Sequence, residues 1–394
     1  MPKTPVPGAL SVRVSSRGAA RLRQGHPWVY QSDVSAPKVP PGAVVRVLDG
    51  RGKMLGTALY SSASQIALRL IATGEVADWP GLLRERIAAA IAYRQSIVRD
   101  TDAYRVIFSE GDFLPGLIAD RYGDLLSVQI LTQAMDADLA REATLAELSE
   151  RLQPASIIER VDARVRELEQ LPTRSSGLLL GEKTSAVFTM NGVRFHFAAL
   201  EGQKTGAFLD QRENYAASVP YAHGEGLDVF CYQGGFALHL AARCSRVTGV
   251  DSSRPALEMA EQNAALNGRE MEWIEGNAFD LLRDYADGGR GYDTIVLDPP
   301  AFAKSKRNLE TALRGYKELN LRALKMLRPG GILVTCSCSY HVSQADFLAV
   351  VAEASTDARR QMRILEFRSQ ARDHPMLATV PETAYLKCAI AYVS

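Results

Sequence analysis

Two segments near the C-terminus hold residue types that could do covalent chemistry: Tyr292-Asp-Thr-Ile-Val-Leu-Asp298-Pro-Pro300 and Gly330-Gly-Ile-Leu-Val-Thr-Cys336-Ser-Cys338-Ser339. Each is a β-rich apolar run that stops abruptly at polar residues, and in open α/β sheets ligands sit outside the carboxyl ends of the strands. A carboxylate placed there can hydrogen-bond or polarise a heterocycle, and a thiolate beside it can attack one. Asp298 next to Cys336 or Cys338 therefore points to chemistry on a heterocyclic base.

A third segment, Leu227-Asp228-Val-Phe230-Cys-Tyr232-Gln-Gly234-Gly235, follows an expected strand and opens an expected helix. The glycine pair would let backbone approach a ligand at a helix N-terminus. No Gly-Lys-Ser/Thr follows and a third, helix-packing glycine is absent, which argues against a nucleotide-phosphate loop and a nicotinamide fingerprint. The next strand ends in Val250-Asp251-Ser252, where an acid can accept hydrogen bonds from both hydroxyls of a ribose. A further strand leads to Gly276-Asn277-Ala278-Phe279, suited to an adenine edge and face. Acidic first loop, ribose acid, adenine loop and Asp-Pro-Pro, in that order, resemble the class I S-adenosylmethionine-dependent methyltransferases.

These residues need a scaffold, and from about residue 200 the pattern supplies one. Strands expected at 226–230, 246–251, 272–275, 294–298, 331–335 and 384–393 alternate with helices, the signature of a parallel sheet with helices on both faces. Upstream, residues 10–14, 44–48, 55–59 and 66–71 read as short strands broken by Pro40-Pro-Gly42 and Asp49-Gly-Arg-Gly52, a small barrel or sandwich. Between them, helical spacing at 81–99 and 136–152 accompanies strands at 104–108, 117–120, 125–131 and 156–159. Asn191-Gly192 marks a hairpin of 186–190 with 193–197. The expected organisation is a small β-barrel at 1–74, a central α+β domain at 75–195 and an α/β Rossmann-like domain at 196–394.

Composition bounds the function further. Charged residues nearly cancel, 46 Lys and Arg against 45 Asp and Glu, so a uniformly basic surface is excluded. Locally, residues 1–30 carry Lys3, Arg13, Arg17, Arg21 and Arg23 with no acid. Arg17, Arg21, Arg23 and Lys53 are the candidates for contact with a nucleic-acid backbone. The 5 cysteines are odd in number and scattered, and Cys336 and Cys338 are spaced unlike a zinc site, so neither a disulfide framework nor a metal is expected. No apolar run approaches the ~20 residues that span a bilayer and no signal-peptide core is present, so the reading is a cytoplasmic protein with no membrane partner.

Over the whole chain, Gly202-Gln-Lys-Thr-Gly-Ala-Phe-Leu-Asp-Gln-Arg212, Asp298-Pro-Pro-Ala-Phe-Ala-Lys304-Ser305, Thr335-Cys-Ser-Cys-Ser339 and the stretch from Arg105 to Gly123 resemble the bacterial large-subunit ribosomal RNA methyltransferase I family. Gly25-His-Pro-Trp-Val-Tyr30 resembles the PUA RNA-binding part of such proteins. The resemblance implies formation of 5-methylcytidine in 23S ribosomal RNA, either naked or in a large-subunit assembly intermediate. It implies S-adenosyl-L-methionine as cofactor, held by Phe208, Gln211, Arg212, Asp228, Phe230, Tyr232, Gly234, Asp251, Ser252, Asn277, Ala278 and Asp298. A departure is Ala207, where a larger residue is expected.

Carbon 5 of cytosine is a poor nucleophile, so the implied reaction needs a thiolate to add first to carbon 6. A gapless alignment from Gly330-Gly331 onto other RNA 5-methylcytidine enzymes selects Cys338; a register matching Thr335-Cys-Ser selects Cys336. Asp298 would hold cytosine at N3 and the amino group, and Lys304 would contact phosphate or lower the thiol pKa. These relatives carry another cysteine after the aspartate and proline, where this chain has Pro300-Ala301, so the base for the elimination step stays open between Cys336 and water. Two other readings remain: N-methylation of a guanine or adenine, because Asp-Pro-Pro precedes Phe302, and a cofactor-binding ribosome assembly factor. Trp28 and Tyr30 could serve a homodimer contact as easily as RNA.

Overall fold

The computed structural model describes residues 10–35, 38–200, 207–303 and 305–394. Among the described residues the strands form three sheets and a two-stranded ribbon. Strands β1 (Ser11–Arg13), β2 (Trp28–Tyr30), β3 (Val44–Leu48), β4 (Met54–Tyr60) and β5 (Ile66–Ala72) run in the order β1-β3-β4-β5-β2. An antiparallel bridge from Val14 to Val34 joins the two edges and closes the sheet into a small barrel.

A helix, Ser16–Arg23, was not foreseen in the basic N-terminal stretch. Ser15 caps it by accepting from Gly18 N, and Gly18, Ala19 and Leu22 turn inward while the arginines face out. Strand β2 was also not foreseen, since three residues are too few to show a period.

The central sheet contains β6 (Ala103–Phe108), β7 (Leu117–Tyr122), β8 (Leu125–Ile130), β9 (Ser156–Glu159) and β10 (Gly177–Leu180), ordered β10-β9-β8-β7-β6. Helices Trp79–Ile97 and Asp138–Leu152 cover it through Leu83, Ile87, Ala143 and Leu148. The Asn191-Gly192 hairpin is present as β11 (Ser185–Met190) and β12 (Val193–Ala198), with both turn residues at positive φ. Its Phe188, Phe195 and Phe197 share one apolar core with Tyr122 of the central sheet and Phe236, Leu240 and Val334 of the C-terminal unit. Phe197 stacks on Tyr122 with ring centroids 3.9 Å apart.

Strands β13 (Glu225–Val229), β14 (Arg246–Asp251), β15 (Glu272–Glu275), β16 (Tyr292–Leu297), β17 (Leu327–Ser337), β18 (Met362–Arg368) and β19 (Lys387–Val393) form a seven-stranded sheet ordered β15-β14-β13-β16-β17-β19-β18. The first five are parallel and β19 is antiparallel to both neighbours. Leu227, Val229, Ile295, Val296 and Leu297 are fully buried, as expected of central strands covered on both faces. The strand order reverses between β13 and β16, and a crevice outside the carboxyl ends of the strands opens at such a switch point.

Two differences from expectation bear on this crevice. β18, an edge strand with half its residues exposed, lacks the apolar run that would reveal it. The last strand starts at Lys387 instead of residue 384, because Pro381–Thr383 forms a tight 3-10 turn and residues 384–386 leave the ladder.

Candidate active site

The carboxyl ends of β13, β14, β16 and β17 and the turn before β19 surround a cleft of about 1010 Å³. Of the expected site residues, Phe208, Gln211, Phe230, Tyr232, Asp251, Ser252, Asp298 and Cys338 line it. A smaller inner pocket continues past Phe208 and Tyr232 to Ala207, Tyr215, Asp228 and Phe236. Ala207, the departure noted in the sequence, lies on that inner wall.

The loop after β13 is shaped by backbone conformations that resist folding. Phe230 and Tyr232, neither a glycine, have φ of 67° and 51°, and Gly234 has 82°. Non-glycine residues in the left-handed region cost of order 1 kcal/mol or more and cluster at ligand sites. At Gly235 a Cβ would lie 2.5 Å from the Tyr215 hydroxyl, so only glycine fits.

Asp228 is 1% exposed; its Oδ2 accepts from Ala237 N at 2.8 Å, and its Oδ1 has no hydrogen-bond partner among the described residues. Burial, with a smaller contribution from Asp298 and Asp251, pushes its carboxyl up to about 8. A buried acid with one orphaned oxygen facing a pocket is a receptor for a cationic or amino group. Asp251, at the next strand end, accepts from Tyr232 N and Ser253 N, each at 2.9 Å, which aims its carboxylate across the cleft. These residues fit an adenosyl amino acid: an acid for an ammonium group, a second acid for ribose, and the aromatic walls of Phe208 and Phe230.

Four expected cofactor residues, Asn277, Ala278, Arg212 and Gly234, line neither the cleft nor the inner pocket. Asn277 accepts from Phe279 N and Asp280 N and so caps the helix Ala278–Asp287, while Ala278 packs in the core with Leu282. Neither lines the cleft. Arg212 is also buried; its Nη2 meets Asp373 Oδ1 at 3.1 Å and its carbonyl accepts from Asn191, so it ties the ribbon to the C-terminal unit.

Asp298 ends β16, where its backbone N–H donates to Val229 O at 3.2 Å. Gln211 Nε2 donates to Asp298 Oδ1 at 2.9 Å, and Asn214 in turn donates to Gln211 Oε1 at 2.6 Å. This chain of amides fixes the carboxylate. Facing it, Cys338 leaves the end of β17 half-buried, its Sγ 3.8 Å from Pro299 O. Burial first, then Asp298 and Asp210, push the thiol up to about 12, opposed by Lys387. Lys387 Nζ donates to Ser339 O at 2.7 Å and Val342 O at 2.9 Å, pinning the turn that carries Cys338.

Cys336 is placed differently. It is fully buried in the ladder opposite Cys388, and burial drives its thiol well above the ordinary range. It does not line the cleft. Lys304 lies outside the described residues, as do Lys3 and residues 202–206 of the glycine-bearing motif. Phe302 turns away from the cleft and packs on Tyr316 and Phe279, centroids 4.9 and 5.9 Å apart.

Sequence reasoning missed Asp210 and Tyr385. Both line the cleft, and Tyr385 Oη donates to Asp210 Oδ2 at 2.7 Å. Asp210 sits inside a motif already singled out, but Tyr385 was assigned to a regular strand and its departure from the ladder has no periodic signal.

The candidate nucleic-acid contacts gather on the barrel. Arg17 and Arg21 share the buried Asp33, at 2.8 and 3.6 Å, and Arg23 meets Asp49 at 2.6 Å. Arg21 also stacks over Tyr30 at 4.6 Å. Lys53 is exposed, its backbone N–H donating to Asp49. Three of the four candidates thus have acidic partners, which orders them but offsets most of their charge.

Known proteins resemble the chain in sequence and in fold. Residues 12–73 match the model of a PUA-like domain and residues 114–391 that of an S-adenosylmethionine-dependent methyltransferase. The chain is 38% identical over 386 residues to ribosomal RNA large subunit methyltransferase I of Photobacterium profundum, covering 94% of this chain and 96% of that one. It is 38% identical over 398 residues to the protein of that name from Shewanella amazonensis, covering 98% and 100%. In fold it is similar to a solved structure described as a methyltransferase and complexed with SAH, with a TM-score of 0.84 at 20% identity over 97% of this chain and 100% of that one. A Streptococcus mutans structure described as SAM-dependent gives 0.82 at 19% identity, with the same coverage.

Proposed function

Because the chain belongs to the ribosomal RNA large subunit methyltransferase I family, we propose that it methylates carbon 5 of a cytosine in 23S ribosomal RNA through a covalent adduct at Cys338. S-adenosylmethionine, the cofactor of this family, supplies an electrophilic methyl group at a sulfonium. The observation that carries the reading is the placement of one cysteine of the pair: Cys338 lines the cleft with Asp298, whereas Cys336 is sealed in the sheet.

The chain's own groups divide the work. Asp228 and Asp251 receive the amino and ribose ends of the cofactor. Asp298, held by Gln211, accepts from the amino group of a cytosine taken out of its stack and shares a proton with its N3. A thiol near 12 is protonated at rest, with burial the first cause and the charges of Asp298 and Asp210 the next. A base hydrogen-bonded to Asp298 disperses part of that charge and so eases loss of the thiol proton. Cys338 gives its proton to water and adds to carbon 6 as N3 takes up the proton shared with Asp298, which leaves an enamine able to attack from carbon 5.

Arg17, Arg21, Arg23 and Lys53 position RNA by phosphate contact, with Lys53 the strongest candidate because its ammonium is exposed on the barrel. An RNA substrate of this kind places the work in the cytoplasm. No described helix is long and apolar enough to cross a membrane. The N-methylation alternative wants an aromatic wall beside the target amine after Asp-Pro-Pro, and Phe302 is committed to the core instead.

The test is transfer of labelled methyl to unmodified 23S ribosomal RNA, with the product nucleoside identified by mass spectrometry. 5-Methylcytidine is expected. A methylated purine would reject the thiol chemistry, and cofactor binding without product would leave an assembly factor.

A further inference from the structure

The reading above leaves one step without an agent. After the methyl group arrives, the proton on carbon 5 must leave before Cys338 can be released. Cys336 cannot take it, being fully buried outside the cleft. Stereochemistry restricts the position of the base. A thiolate and a methyl donor approaching opposite faces of the ring leave the departing hydrogen on the sulfur face. The base must therefore stand on the side of Cys338.

One further pair of groups lines that part of the cleft. Asp210, in the turn Leu209–Gln211, accepts at Oδ2 from Tyr385 Oη at 2.7 Å. Its charge acts directly on the Cys338 thiol. Several contacts hold the pair: Asp210 O accepts from Ala371 N at 2.8 Å, the Tyr385 ring packs 6.3 Å from Phe108, and Tyr385 N donates to Gln370 Oε1 at 3.4 Å. Asp298 is engaged differently, since Gln211 donates to it and the cytosine edge would occupy it.

Resting on the proposed reaction, we propose that Asp210 is the base of the elimination step and that Tyr385 positions it. A carboxylate oxygen of Asp210 takes the proton from carbon 5. The electron pair of that C–H bond forms the carbon 5–carbon 6 double bond, and the bond from carbon 6 to Cys338 Sγ breaks to release thiolate. The proton passes from Asp210 to water. The Tyr385 phenol, donating to Oδ2, fixes the direction of the carboxylate.

The experiment compares the wild type, Asp210→Asn and Tyr385→Phe on unmodified 23S ribosomal RNA with labelled S-adenosylmethionine, reading released 5-methylcytidine and denaturation-stable protein–RNA adduct in parallel. Asp210→Asn is expected to lower release by about 10²- to 10⁴-fold while the adduct, carrying the labelled methyl, accumulates to most of the protein. Tyr385→Phe is expected to do the same to a smaller degree. On RNA containing 5-fluorocytidine, which has no proton to remove, all three proteins are expected to form adduct equally.

Loss of methylated adduct in both variants on ordinary RNA, or loss of adduct on the fluorinated RNA, would overturn the assignment, because Asp210 would then serve an earlier step or the fold. Wild-type turnover in both variants would overturn it as well. Failure of the underlying reading has a separate signature: the wild type itself would make no 5-methylcytidine and no adduct.

Discussion

The central sheet and the carboxyl edge of the seven-stranded sheet bury acidic residues in opposite ways. In the central unit the buried acids have guanidinium partners. Arg141 spans Asp136 and Glu159 at 2.8 and 3.0 Å, Arg166 meets Asp136 at 3.1 Å, and Arg105 makes paired bonds to Asp120 at 2.7 and 2.9 Å. Arg94 binds Asp112 and the carbonyls of Arg105 and Asp373. At the carboxyl edge Asp228 is as deeply buried, yet one oxygen has no partner among the described residues. Paired buried charges lock a structure, and breaking one is costly. An acid buried without a cation weakens the fold and is retained where a ligand completes it.

The comparison can be broken or sharpened by substitution. The largest effect belongs to the reactive edge: Cys338→Ala is expected to lower methyl transfer by more than ~10³-fold, in line with loss of a covalent nucleophile, while Cys336→Ala remains active. Initial rates with labelled cofactor decide between them.

Next comes a junction between the two regions. Asp373 accepts from Arg105 N at 2.8 Å and from Arg212 at 3.1 Å. Burial alone would raise its carboxyl, but His374 and Arg212 hold it well below the ordinary range. Asp373→Ala removes the carboxylate that faces the buried Arg212 guanidinium and is expected to cost about 3 to 5 kcal/mol, read as a drop in the denaturant midpoint.

Asp228 should behave in the opposite sense. Its folded pKa lies above its unfolded value, near 8 against 3.8. The folded state therefore holds the extra proton, and this group's effect on stability becomes unfavourable as pH rises from about 4 to 8. Asp228→Asn is expected to raise stability at pH 8 by up to roughly 5 kcal/mol, to raise it by only about 1 kcal/mol at pH 4.5, and to weaken cofactor binding. Thermal unfolding at the two pH values, with calorimetric titration of the cofactor, checks all three. A destabilised variant at pH 8 would show that the edge is built like the central sheet after all.

The smallest effect is expected on the barrel. Lys53→Ala should weaken RNA affinity a few-fold and reduce the slope of log affinity against log salt by about 1. Arg23→Ala should do less, because Asp49 already neutralises it.

The same contrast explains what the sequence revealed. The buried parallel strands β13, β16 and β17 were legible as apolar runs, and β14, the edge strand β15 and β9 of the central sheet fall on the expected residues. Asp251, Asp298 and Cys338 were legible because each stands where a strand stops, and Asp228 because it is an acid inside an otherwise apolar run that leads to Gly234-Gly235. Asn277 and Ala278 also follow a strand end, but the Asn277 side chain turned back to cap its own helix. Nothing local distinguishes the two outcomes. Asp210 and Tyr385 are 175 residues apart and meet only through tertiary structure. The buried pairs of the central sheet were equally invisible, since Arg141 and Glu159 are brought together by a helix packing on β9. In the barrel, an all-basic run read as a binding face proved to be a helix whose arginines are answered by Asp33 and Asp49.

The most direct measurement is the site of attachment between protein and RNA. The wild-type protein, incubated with cofactor and a 23S fragment containing 5-fluorocytidine, is digested with protease and nuclease, and the modified peptide is sequenced by mass spectrometry. The account predicts a methylated fluorocytidine nucleotide on Cys338, absent in Cys338→Ala and retained in Cys336→Ala. A modification on Cys336, or no covalent product from an enzyme that still methylates ordinary RNA, would contradict it.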